Sequence, residues 1–251
     1  MNRQEFDELR SEFAEYVYKY EYFLKCGYLN DLYYNKTFNK DLELNALLEF
    51  ENSVIYTACK EKEANKDFDP KDLFVLALKN KSELMESIKS KKEKSARIVG
   101  NIEKMSLEDK QAIENEYLNI VKLYHPVIRV FVTEEEKNVY NRIRQFYNEN
   151  DVNGIREIFE LNKNLFAPIE YKPEQYTQVS AFFYDNQKRI NADYTKKSKE
   201  YPFNMGDVLK DEITIARETG EIRTKHTQLL RSNQELKKAY KNLYGTDFQA
   251  I

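Results

Sequence analysis

The sequence predicts an all-α protein, and three observations predict it. Apolar residues recur at intervals of three and four along most of the chain. Only 6 Gly and 5 Pro interrupt 251 residues, whereas 33% of the residues are charged. Residues suited to helix capping stand directly before the periodic stretches, as in "SLED" at Ser106 and "TEEE" at Thr133. The pattern divides the chain into a helical N-terminal region at 1–105, a short helical hairpin at 106–166 and a long antiparallel coiled-coil hairpin at 167–251.

In the first region Phe6, Leu9, Phe13, Val17, Tyr20 and Leu24 form one helical stripe. Gly27 is expected to break that helix, with an aromatic patch from Leu29 to Tyr34 before the next. A second helix over 41–65 carries Leu44, Leu48, Ile55 and Cys59 on one side. In "DFDPKDLF" Asp69 can cap and Pro70 fits the first helical position, where its missing donor costs nothing. Leu73, Leu76, Leu84, Ile88, Ile98, Ile102 and Met105 continue the apolar side. The basic run "KSKKEKSAR", Lys89 to Arg97, reads as a solvated helix face. No aromatic residue interleaves the charges as a nucleic-acid stacking platform requires.

The second region opens with Ser106 as a cap and Asp109 as its partner, followed by Ile113, Tyr117, Ile120, Val121 and Tyr124. That helix must end at His125, because Pro126 disfavours helical geometry in the residue before it. Thr133 and Glu136 form a capping-box pattern ahead of Val139, Tyr140, Ile143, Phe146 and Tyr147. A short helix over 151–162 follows.

Pro168 and Pro173 punctuate the entry to the third region, and a helix from Pro173 presents Tyr176, Phe183, Ile190 and Tyr194. After the break "EYPFNMGD", Val208, Ile215, Ile222, Leu229, Leu236 and Leu243 stand at strict seven-residue spacing. The companion positions Glu212, Thr219, His226, Asn233 and Tyr240 are polar or amphipathic, so this seam needs support from Leu209, Ala216 and Leu230. The short break predicts that the two helices fold back on each other. His226 is expected to make a seam hydrogen bond rather than to ligate a metal, since no second His or Cys lies near it in sequence.

Composition narrows the function. With 40 Lys and Arg against 43 Asp and Glu, the net charge of −3 gives no global attraction to nucleic acid or anionic lipid. No apolar run reaches membrane-spanning length and the opening "MNRQEFDELR" is amphipathic, so neither a membrane anchor nor a signal peptide is expected. Cys26 and Cys59 stand alone, as in a cytoplasmic protein with reduced thiols. No P-loop, GxGxxG or HExxH motif occurs, and Glu134 and Glu135 answer the helix dipole. No catalytic residue, metal site or cofactor is therefore expected.

"EYLNIVKLYHPVI" followed by "TEEEKNVYNRIRQFYNENDVNGIREIFEL" resembles the J-domain of heat-shock co-chaperones. Tyr117, Ile120, Val121, Tyr124, His125 and Pro126 fall on the helix that runs into the family's His-Pro-Asp loop, and Tyr140, Ile143, Phe146 and Tyr147 on the inward side of the returning helix. The whole order of helical front, J-like hairpin and long hairpin is similar to that of bacterial coiled-coil-containing proteins. The resemblance implies a partner-binding loop at Lys122, Tyr124, His125, Pro126 and Val127. It departs from the family where Val127 replaces the aspartate that engages the chaperone ATPase, and an isopropyl group cannot supply a charge-assisted bond. Lys110 and Lys122 are also accompanied by Glu108, Glu114 and Glu116, where the family presents a positive face. The bland alternative is an ordinary helix end at His-Pro; the matches on both flanking helices favour the J-like origin.

The expected function is protein–protein interaction or scaffolding around a degenerate J-like module unable to stimulate a heat-shock chaperone, with self-association through the coil as a further possibility. A working co-chaperone and a nucleic-acid-binding helical protein using Lys89 to Arg97 are the alternatives.

Overall fold

The structure, a computed structural model, describes residues 1–130, 132–165 and 169–249. Pro168 and Phe166, the expected end of the middle region, lie outside the described residues. Eight α-helices are described: α1 (Arg3–Ala64), α2 (Lys71–Lys104), α3 (Leu107–Tyr124), α4 (Pro126–Arg129), α5 (Glu134–Asn148), α6 (Val152–Asn162), α7 (Tyr176–Lys197) and α8 (Glu212–Tyr244). Short 3-10 turns complete the helical content, and no strand occurs among the described residues. The fold is all-α.

The chain forms two compact units, each assembled from separate segments: Met1–Asp31 with Ile98–Gly206, and Leu32–Arg97 with Asp207–Ile251. The sequence reading instead divides the chain consecutively, after 105 and after 166.

Three local expectations about helix starts reappear as geometry. Ser106 Oγ accepts from the Asp109 amide at 3.0 Å. Thr133 and Glu136 close a reciprocal capping box at the start of α5. Asp69 accepts from the Lys71 amide at 3.1 Å, two residues before α2 begins. Gly27, by contrast, breaks nothing, because α1 runs through it for 62 residues. Its role is close packing: a Cβ there would lie deep inside the ring of Phe203, so the absent side chain admits the ring against the helix backbone.

In the first unit α1 and α7 run parallel and in register. Phe6 stacks on Tyr176 at 4.3 Å and, seven residues further along both helices, Phe13 stacks on Phe183 at 4.6 Å. Against this pair lies the antiparallel α3–α5 hairpin, where Tyr117 stacks on Tyr147 at 3.7 Å. At the end of α5, Asn150 adopts φ 55°; the Asp151 amide bonds to Phe146 O and the Asn150 amide to Tyr147 O, a Schellman closure that turns the chain into α6.

In the second unit the apolar stripe of α8 packs on α1. Tyr34, Asn45, Asn52 and Ala58 of α1 meet Glu218, His226, Asn233 and Tyr244 in ascending order, so these helices are also parallel. The expected partner, the helix from Pro173, is thereby replaced. The reason lies in α1, whose inward residues Tyr34, Phe38, Asn45, Asn52, Ile55 and Cys59 follow the same three–four spacing as α8. α2 runs antiparallel to α1 and closes one end with Phe74 against Tyr240 and Phe248.

Candidate functional site

The loop at His125 and Pro126 sits against α1 of its own unit. α3 ends at His125, whose backbone is extended at ψ 131°, as the following proline requires. Its imidazole then caps the next turn: Nδ1 accepts from the Val127 amide at 3.1 Å. That bond uses the Nδ1 lone pair, which places the ring proton on Nε2, 3.4 Å from Glu21 Oε1. The Tyr140 ring packs edge-on against the imidazole at 4.7 Å. With only 8% of its surface exposed, His125 is a core residue.

The other loop residues are half-buried. Tyr124 packs on Phe159 at 5.1 Å, Lys122 reaches Glu15 at 3.3 Å, and Val127 packs against the core. Pro126 opens α4 at its first position. Behind the loop the buried Arg129 and Glu136 form an ion pair at 2.7 Å, which ties α4 to the capping box of α5.

Two carboxylates organise this region, the buried Glu21 and the half-buried Glu114. Glu21 accepts from Tyr117 at 3.2 Å, and Arg144 lies 3.7 Å away. Tyr140 completes the chain with its hydroxyl 2.8 Å from that of Tyr117. Burial alone pushes the Glu21 carboxyl upward; the His125 bond, the Arg144 charge and the Tyr117 hydroxyl outweigh it and hold the group below the usual glutamate range. Glu114 likewise accepts from Lys25 at 2.6 Å, Tyr18 at 2.8 Å and Tyr147 at 2.5 Å. The Lys25 ammonium also lies 4.0 Å from the centre of the Tyr147 ring, and burial pulls its pKa down against the pull of Glu114. Burial likewise raises the neighbouring Cys26 thiol.

Both carboxylates thus spend their lone pairs on protein donors. The arrangement fastens α1, α3 and α5 together. No group of three His, Cys, Asp or Glu side chains suited to a metal occurs among the described residues.

The second region of interest is the α8 seam. Val208, expected as the first residue of the seam, is buried but lies in a turn four residues before α8; within the helix Ile222 is buried, and Ile215, Leu229, Leu236 and Leu243 are half-buried. Of the polar companions, Glu212 is exposed, Thr219 and His226 are half-buried, and Asn233 and Tyr240 are buried. Asn45 donates to Ile222 O at 3.1 Å, so its side-chain oxygen is left to accept from His226 Nδ1 at 2.9 Å. Seven residues on, Asn52 donates to Leu229 O at 3.0 Å and accepts from Asn233 at 2.7 Å. His226 therefore makes the expected seam hydrogen bond. Ala216 and Leu230, expected to support the seam, are exposed; the support comes from asparagines on α1.

Beside that seam the surface is open. Leu47 of α1 and Leu78, Met85 and Ile88 of α2 line a groove of about 710 Å³. A smaller cleft of about 220 Å³, lined by Leu44, Leu48, His226 and Leu230, shares Leu47 and Lys81 with it. Leu78 is 56% and Met85 50% exposed.

Glu21, Lys25, Asn45 and Asn52 are the residues that sequence reasoning missed. Their signal was present as polar residues standing at inward positions of a three–four stripe, with Asn45 and Asn52 one heptad apart. No family model matches the chain, and comparison with curated proteins and with solved structures likewise finds no match, so the J-like reading rests on the residues quoted for it.

Proposed function

We propose that this chain is a non-enzymatic protein–protein interaction or scaffold protein, carrying a degenerate J-like module that does not stimulate a heat-shock chaperone ATPase. One observation carries the first part. Apolar side chains of α1 and α2 line an open groove, and Leu78 and Met85 are half exposed in it. Large apolar side chains left exposed in a groove among charged ones suit a surface that meets another macromolecule. Carboxylates engaged by protein donors favour binding over catalysis.

For the second part, a loop that engages a chaperone must present its histidine and a carboxylate. Here the imidazole is buried with both nitrogens used inside the chain, and Val127 stands in the acidic position. The test is the ATPase rate of the host's heat-shock chaperone with and without the purified chain. An unchanged rate is expected, and a stimulation that disappears on His125→Gln contradicts it. The interaction reading is tested by lysine-reactive crosslinking of the tagged chain in its native cell. Discrete adducts of fixed mass are expected, and an uncrosslinked chain throughout would overturn it.

A further inference from the structure

Within the second unit, α2 carries two stripes. One faces its neighbours through Phe74, Ala77, Leu84 and Ile88. The other is Val75, Leu78, Ser82, Met85, Lys89 and Lys92, also at intervals of three and four, and it is exposed along its length. Val75 is 69% exposed. A second three–four stripe is the surface that a further helix covers, by the rules that pair the first stripe.

The stripe changes character along the helix, and this defines the occupant. Its first half is apolar, through Val75, Leu78 and Met85. Its second half is cationic on balance: Lys81, Lys89 and Lys92 line the groove against Glu43 and Glu86, and the run from Lys89 to Arg97 contains five basic residues and a single acid, Glu93. The ion pairs that Lys89 and Lys92 make, with Glu93 at 4.0 Å and Glu43 at 3.9 Å, are long and exposed, so they exchange readily for a better partner. The apolar half argues against a nucleic acid, which would offer it nothing to bury. A basic or neutral helix would leave the cationic half unmatched.

We infer that the α1–α2 groove of the second unit docks an amphipathic helix of another protein, one that brings apolar residues at three–four spacing to Leu47, Leu78 and Met85 and carboxylates to Lys89 and Lys92. This deepens the interaction reading and rests on it. The apolar half supplies the burial, and the charged half sets the direction in which the incoming helix lies.

The experiment uses the full chain and a fluorescein-labelled peptide of about twenty residues, some five turns of helix. The peptide carries Leu at three–four spacing in one half and Glu in the other, and its anisotropy is followed on titration. A peptide with Lys in place of Glu, a single-stranded oligothymidine and phosphatidylserine vesicles are the comparison probes. Saturable binding of the acidic peptide is expected, weakened roughly tenfold or more by Leu78→Glu with Met85→Glu. Lys89→Glu with Lys92→Glu should weaken the acidic peptide and strengthen its Lys counterpart. All four positions are exposed, and an unchanged thermal melt verifies that each variant folds. Equal binding of the two peptides, tighter binding of DNA or vesicles, or indifference to the Leu78 and Met85 changes overturns the inference. So does self-association of the chain that those changes abolish, because the occupant is then a second copy. A chain that crosslinks partners in cells but ignores the acidic peptide overturns this inference and leaves the interaction reading standing.

Discussion

Glu21 shows how a single side chain couples the His125–Pro126 loop to the helix beneath it. Its folded-state pKa lies below the usual value of 4.5. The ionised form therefore contributes stability above that pH, and the contribution is lost as pH falls through the depressed folded value. Glu21→Gln should cost about 1–3 kcal/mol at neutral pH, because it weakens the bonds of His125 and Tyr117 and strips Arg144 of its counter-charge. Denaturant titrations between neutral and strongly acidic pH should show a shallower acid loss in the variant than in the parent; parallel curves would remove Glu21 from the acid response. Gly27 makes the opposite point, since what matters there is an absent side chain. Gly27→Ala should destabilise by about 1–3 kcal/mol through overpacking, and most of that cost should vanish in a Phe203→Ala background. Equal cost in both backgrounds would assign the effect to the helix rather than the ring. The sequence displayed Gly27 plainly, but a glycine that ends a helix and one that admits a ring are alike until the ring is placed.

Among the elements, α8 was the most legible and its neighbour the least. The heptad run from Val208 to Leu243 marks the face that is covered, and the caps at Ser106 and Thr133 mark where α3 and α5 begin. The partner of α8 was hidden because α1 carries asparagines at two inward positions, which weakens its apolar signal just where it pairs. These asparagines make the seam a ladder of side-chain and backbone bonds that tolerates only matched changes. Asn233→Leu alone should destabilise by about 1–3 kcal/mol, since it leaves the Asn52 side-chain oxygen without its donor. Adding Asn52→Leu removes both halves of the pair and should recover much of the loss, with a looser choice of register or association state. Thermal melts with light scattering follow both effects; a single variant as stable as its parent would mean that the pair does not form. Ile222→Ala at the buried centre of the stripe should cost about 2–4 kcal/mol, while Leu230→Ala, on the exposed side, should cost little.

For the whole molecule, the all-α class followed from periodicity and the scarcity of breakers. The assembly of each unit from separated segments did not, because a heptad stripe states which face is covered and not by what. The candidate sites divide in the same way. The sequence located His125, but its burial against Glu21 depends on a residue about a hundred positions away, and the open groove depends on α2 presenting a second stripe that no local pattern isolates. The most direct test of the interaction reading is photo-crosslinking from a benzoylphenylalanine placed at Met85, in the native cell, beside a second chain with the label at Lys188. Lys188 is exposed on α7 and lies outside the groove. A discrete adduct with another protein is expected from position 85, lost when Leu78 is changed to Glu and absent from position 188. A chain that stays unmodified from position 85, or yields the same diffuse adducts from both positions, would contradict a protein built to hold a partner in that groove.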